Sequence, residues 1–214
     1  MAVSSSPLHR PSLWRASSPL VLASGSLTRR DLLISAGLPV GVCSPVIDER
    51  AIEAGLARDG ADASKIAEGL ASAKAASIGN TKPGQLVLGA DQTLECEGVP
   101  FHKPADAAAA ARQLEWLSGK THQLHSACSL FQDGREIFTA VTSARLAMRP
   151  LSPVFIQAYL EAAGDSILAS VGAYQLEGLG IHLFSTVEGD HSTILGLPLF
   201  PLLSFLRQHG SLAG

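Results

Sequence analysis

The chain has 214 residues, of which 46% are hydrophobic and 16% charged, and its formal net charge is -3. That length fits one large domain or two small lobes, and that composition supports a sizeable core and excludes wholesale disorder. A slightly acidic chain argues against a module that wraps a nucleic acid backbone, whereas a small anionic ligand needs only a local cluster of cations.

Residues 1–18 are rich in Ser, Pro and Arg and lack a continuous apolar stretch, so they read as a disordered tail rather than a signal sequence. The folded part is expected as a single domain over 19–210. "PLVLAS" predicts a buried strand. "LTRRDLLISAG" predicts a helix with Ser26 as N-cap and Gly37 as stop. "LPVGVCSPV" predicts a second strand, followed by a polar stretch ending in "DGAD" and a helix over Ala63–Ile78. "QLVLGAD" predicts a third strand whose unbroken apolar run implies burial on both faces. "TLECEGVPFHKP" reads as a short hairpin or loop insertion.

Further on, "PADAAAAARQLEWLSG" predicts a helix ending near Gly119. "THQLHSACSLFQ-DG-REIFTAVTSARLAM" predicts a long antiparallel hairpin turning at Asp133-Gly134. "SPVFIQAYLEAAG" carries Ser152 as N-cap, Pro153 at the first helical position and Gly164 as terminator. "IHLFSTVEG" predicts a strand, and "LPLFPLLSFLRQHG" a closing helix. The order implies a mixed α/β domain, two lobes around a cleft. No apolar run approaches the roughly 20 residues that span a bilayer. Cys43, Cys96 and Cys128 contain no C-x-x-C pair, which implies a reducing compartment. A soluble, cytoplasmic protein is expected.

Several polar residues stand out against this frame. Asp91 closes the apolar run Leu86, Val87, Leu88, and ligands of α/β proteins gather at the carboxyl ends of such strands; it could equally start a turn. Lys74 shares a helix face with Ile66, Leu70 and Ile78, so it either snorkels to water or holds its ammonium against a cleft wall. Glu49 follows the second strand and Lys103 the third, as surface charges or as part of a site. Ser24, Ser26 and Arg29 open the first helix. Free N–H groups, the helix dipole and a guanidinium suit phosphate there, although the segment is not a Walker P-loop. The segments "GAYQLEGLG" and "STILGLP" have the glycine spacing of tight turns. The histidines show no zinc spacing.

Taken together and in order, "LVLASGSLTRRDLL", "VIDE", "LASAKA", "LGADQTLECEG", "HKP", "LSGKTH", "VGAYQLEGLG" and "ILGLPL" resemble the Maf proteins. These are nucleoside triphosphate pyrophosphatases related in fold to inosine triphosphatases. The resemblance runs from about residue 20 to 208. It implies hydrolysis between the α- and β-phosphates, with Glu49, Lys74, Asp91 and Lys103 as the catalytic polar site. Glu49 and Asp91 would hold Mg²⁺ or Mn²⁺, Asp91 would act as base, and Ser24, Ser26 and Arg29 would hold the triphosphate. It also suggests a homodimer; the charge balance and the lack of a long apolar run argue against a nucleic acid or membrane partner. An alternative within the family is a non-catalytic nucleotide-binding regulator of septum formation.

Two positions depart from the family pattern: Leu27 stands where Pro is usual, and Thr28 where Arg or Trp is usual. Gln92 and Glu177 resemble the pair found in the branch acting on 7-methyl-GTP, and a carboxylate can accept both N1–H and N2–H₂ of guanine. A guanine-type base is therefore expected, read by Thr28, Gln92 and Glu177.

Overall fold

The computed structural model describes residues 13–214. Among these residues seven strands form one mixed sheet: β1 (Leu20–Ala23), β2 (Val40–Val42), β3 (Val87–Cys96), β4 (Val99–Phe101), β5 (Thr121–Gln132), β6 (Arg135–Met148) and β7 (Phe184–Glu188). The order is β2-β1-β3-β5-β6-β7, with β4 also paired to β3. Strands β2, β1 and β3 run parallel, and β3, β5, β6 and β7 are antiparallel. The helices are α1 (Leu27–Ser35), α2 (Glu49–Arg58), α3 (Ala63–Gly79), α4 (Ala107–Leu117), α5 (Pro153–Ala163), α6 (His191–Ile194) and α7 (Leu199–Gln208).

Most expected elements are present, for the expected local reasons. Ser26 caps α1 and Ser152 caps α5, each accepting from a backbone N–H of the first turn. The β5–β6 hairpin turns through Asp133 and Gly134, both at positive φ, as a two-residue turn matched to strand twist requires.

Strand β3 positions the site. Its odd-numbered side chains face α3: Val87 packs with Ala75 and Ile78, and Thr93 Oγ1 donates to the Ala63 carbonyl at 2.8 Å. Gly89 lies directly beneath α3, where an added Cβ would sit 2.0 Å from the Ala71 carbonyl oxygen and 2.6 Å from the Ala75 nitrogen. The missing side chain lets a helix backbone rest on a strand backbone.

The even-numbered side chains enter two apolar clusters on the other face. Leu88 and Ala90 join Leu20, Leu22, Leu33, Leu202 and Leu206. Leu94 and Cys96 join Leu114, Leu117, Leu146, Ile156 and Tyr174. Burying each such leucine contributes about 1.5–3 kcal/mol. The two clusters are the two lobes, and Gln92 lies between them along the strand.

Three expectations are corrected. The polar stretch before Ala63 contains α2, capped by Asp48. Strand β3 continues five residues past Asp91, so Asp91 lies mid-strand, not at its carboxyl end; pairing to β5 carries the strand on through Glu95. The expected tail over 1–18 lies partly outside the described residues, but its last part is tied down. Arg15 N–H donates to the Ser211 carbonyl, Ala213 N–H donates to the Leu13 carbonyl, and Trp14 packs against the Leu20–Leu206 cluster. Among the described residues no helix is long and apolar enough to cross a membrane.

Candidate active site

Lys74 is the hub. It is 6% exposed, and its ammonium reaches Asp91 Oδ1 at 2.6 Å and Glu49 Oε2 at 3.0 Å. The stripe of Ile66, Leu70 and Ile78 carries it inward, and the contact of α3 on Gly89 sets its depth. Asp91 is 8% exposed, while the Glu49 side chain is half-exposed in the first turn of α2. So a buried cation joins one buried and one accessible carboxylate. Such pairing is what makes burial of these charges tolerable.

Arg29 closes the other side. Its Nε donates to the Gly196 carbonyl at 2.7 Å, and its Nη1 donates to the Ala90 carbonyl at 2.9 Å and to Ser24 Oγ at 3.3 Å. Burial lowers the guanidinium pKa, and the nearby charges of Asp91 and Glu49 oppose that shift. The neighbouring Arg30 is instead a surface residue paired with Asp31.

Ser24 Oγ accepts from Ser26 N–H at 3.2 Å, and Ser26 Oγ accepts from Arg29 N–H at 3.3 Å. Among the described residues both hydroxyls serve only as acceptors, which leaves both O–H protons to donate. Two hydroxyl donors and a guanidinium thus stand at the start of α1, beside two carboxylates bridged by an ammonium.

The structure therefore brings together Ser24, Ser26, Arg29, Glu49, Lys74 and Asp91. Lys103 is exposed on the loop after β4, which approaches α2 where His102 lies 3.8 Å from Glu53; no ion pair joins Lys103 to the cluster. Thr28 is half-buried in the first turn of α1.

Gln92 points away from Asp91. Its amide nitrogen donates to the carbonyls of Thr193 and Ile194 at 3.1 and 3.0 Å and to Ser126 Oγ at 3.0 Å. Its amide oxygen alone is left to accept. Glu177 is exposed on the tight turn between Gln175 and Gly180, and no hydrogen bond links it to Gln92.

The Lys74 ammonium occupies the point where the two carboxylates converge, and their second oxygens, Asp91 Oδ2 and Glu49 Oε1, remain as hard donors. This fits Mg²⁺ or Mn²⁺, which take few protein carboxylates and leave other positions to water and phosphate. Among the described residues no group of three or more His, Cys, Asp or Glu is placed to hold a metal.

The mixed α/β fold and this cluster of cations, carboxylates and hydroxyls at a helix N-terminus define a protein suited to binding a polyphosphate. The chain belongs to the Maf family: the family model described as "Maf-like protein" matches residues 19–209. It is 54% identical to a nucleoside triphosphate pyrophosphatase of Nitrobacter winogradskyi, over 91% of this chain and 96% of that protein. A nucleoside triphosphate pyrophosphatase of Nitrobacter hamburgensis is 52% identical over 94% and 98%. A 7-methyl-GTP pyrophosphatase of Mesorhizobium japonicum is 50% identical over 91% and 98%.

Serines, arginine, lysine and carboxylates were all visible in the sequence. The residues it did not single out are those that orient Arg29 and Gln92: Gly196 for the first, Thr193 and Ser126 for the second, and Asp190 as the cap of α6. "STILGLP" was legible only as a glycine-spaced turn, and nothing local connects it to Arg29, 167 positions away.

Proposed function

We propose that this protein is a nucleoside triphosphate pyrophosphatase, cleaving the α–β phosphoanhydride to release the nucleoside monophosphate and pyrophosphate. The observation that carries the reading is the buried Lys74 bridging Asp91 and Glu49 beside Arg29. The near-full-length relatives named for this activity support it.

In this reading the O–H groups of Ser24 and Ser26 and the guanidinium of Arg29 bind phosphate oxygens, helped by the positive end of α1. Asp91 accepts the proton of the attacking water. Lys74 holds the Asp91 carboxylate in place and stabilises the negative charge that develops on the phosphates. Lys103, exposed and with no ion pair among the described residues, would swing toward the leaving pyrophosphate. Mg²⁺ or Mn²⁺ held by Glu49 and Asp91 would neutralise phosphate charge. The test is pyrophosphate release from a panel of triphosphates with and without chelator. Monophosphate and pyrophosphate are expected, with activity lost in chelator and restored by Mg²⁺ or Mn²⁺. Orthophosphate and diphosphate as products would refute the cleavage position.

A guanine-type base, 7-methyl-GTP included, is the proposed preference. The similarity to the Mesorhizobium enzyme favours it, as does the exposed Glu177 carboxylate, which can accept from two guanine donors where uracil offers one. With its amide nitrogen held by the protein, Gln92 can contribute only an acceptor. Glu177→Gln is expected to shift the GTP to UTP ratio of kcat/KM by about ten-fold. An unchanged ratio would refute the role of Glu177 in base reading.

A further inference from the structure

We infer that Asp190 is a positioning residue for the phosphate-binding end of the site: through α6 it fixes the carbonyl that holds Arg29 against the backbone next to Asp91. This rests on the proposed role of Arg29 in holding phosphate.

Helix α6 has only four residues and no cooperative stability of its own, so its place is set by what grips it. Asp190 is its N-cap. Oδ1 accepts from Thr193 N–H at 2.9 Å and from Ser192 Oγ at 2.5 Å, and Oδ2 accepts from Thr193 Oγ1. The one hydroxyl proton of Thr193 is thereby committed, so Thr142 Oγ1 on β6 must be the donor in its 2.6 Å contact with Thr193 Oγ1. The Thr193 carbonyl accepts from Ser126 on β5 at 2.6 Å and from Gln92 on β3 at 3.1 Å. The Ile194 carbonyl accepts from Gln92 as well.

One turn of helix is therefore fastened to three adjacent strands, and Thr193 is fully buried at the junction. Gly196 follows at once. Its N–H donates to the Thr193 carbonyl, and its own carbonyl holds Arg29 Nε at 2.7 Å. Its φ is +95°, and a Cβ there would come within 3.2 Å of Arg29 Nε, so the segment is shaped to the guanidinium. The opposite edge of that guanidinium rests on the Ala90 carbonyl, the residue before Asp91. Asp190 touches neither Arg29 nor Asp91, yet the link from it to both is continuous.

A double-mutant cycle tests this, reading pyrophosphate release from GTP and 7-methyl-GTP below the melting temperature of each variant. Asp190→Ala is expected to lose about ten-fold or more in kcat/KM in the parent, since small misplacement of a binding group is costly. In an Arg29→Gln background the same change is expected to cost less than about three-fold, because the group it positions is gone. Asp190→Asn is expected to stay within about three-fold of the parent: Asn caps as well as Asp, and the Thr193 and Thr142 hydroxyls can reverse to accept from its amide. Thr193→Val, which keeps the cap and both carbonyls, provides a second variant and should show the same non-additivity.

Equal losses in both backgrounds, or no loss in the parent, would overturn the inference while leaving the site reading intact. If Arg29→Gln turns over like the parent, the phosphate role of Arg29 and this inference fall together.

Discussion

Replacing Gly89 with alanine puts the arrangement of α3 on β3 to a direct test. The new Cβ would lie 2.0 Å from the Ala71 carbonyl oxygen and 2.6 Å from the Ala75 nitrogen, and both are backbone atoms that no rotamer change can move. Relief to about 3.0 Å requires α3 to retreat by about 1 Å, and overpacking of this kind costs about 3 kcal/mol. For a chain of this length that lowers Tm by about 6–12 °C. The same retreat opens the Lys74–Asp91 contact from 2.6 Å to a distance beyond hydrogen bonding. Turnover should then fall by about 100-fold even where the variant is folded. Gly55→Ala in α2, where nothing lies within 4 Å of the added Cβ, is the control and should be neutral or stabilising by up to about 1 kcal/mol. Circular dichroism melts and pyrophosphate release read the two effects separately. A Gly89→Ala protein melting within about 2 °C of the parent, with activity within about three-fold, would refute the claim that this glycine sets the depth of Lys74.

Asp91→Asn should fold normally, since Lys74 keeps Glu49 as a partner, yet lose about 100-fold or more in kcat through loss of the base; near-parent kcat would remove Asp91 from that role. His122 is buried against Tyr174, and burial pushes its pKa down to about 4 from 6.5. The unfolded chain therefore binds a proton that the native state refuses. This group's contribution is a loss of about 3 kcal/mol as pH falls from 6.5 to 4, with no further change above 6.5. Urea midpoints across that window should drop less in His122→Gln than in the parent, and parallel curves would refute the assignment. Trp14→Ala should cost about 2 kcal/mol by urea unfolding, because the half-buried ring packs on the Leu20–Leu206 cluster; a change below about 0.5 kcal/mol would return that segment to a dispensable tail.

Local chemistry explains what could be read ahead of the structure. Ser26 and Gly37 bound α1, Asp133-Gly134 turns the hairpin, and Lys74 interrupts an apolar stripe; each signal lies within a few residues of its effect. Helix α2 is hard to read from the sequence because its apolar stripe is short, Ile52 and Leu56 one turn apart among charged and small residues, and none of its residues is fully buried, although Asp48 is a serviceable cap. The true length of β3 escaped because its continuation depends on β5, whose pairing residues lie far along the chain. The same holds for Gln92, whose partners in α6 are about a hundred positions away. Sequence reading found the residues that carry charge and missed the backbone carbonyls that orient them, because every residue has a carbonyl and none is distinctive.

The cluster holding Leu20 and Leu22 also contains Leu202, Leu206 and Leu212, so β1 is completed by residues made much later in the chain. Until α7 has left the exit tunnel, the cluster around β1 lacks Leu202, Leu206 and Leu212, and Leu13–Arg15 lacks the Ser211–Ala213 segment it pairs with. The other lobe, built from residues between Leu94 and Ile194, can consolidate earlier. Biogenesis therefore leaves the amino-terminal lobe, which supplies Ser24, Arg29 and Glu49, as the part most exposed to aggregation and most dependent on holding factors during synthesis. A chain stopped before α7 leaves the lobe that carries Ser24 and Arg29 with an incomplete core.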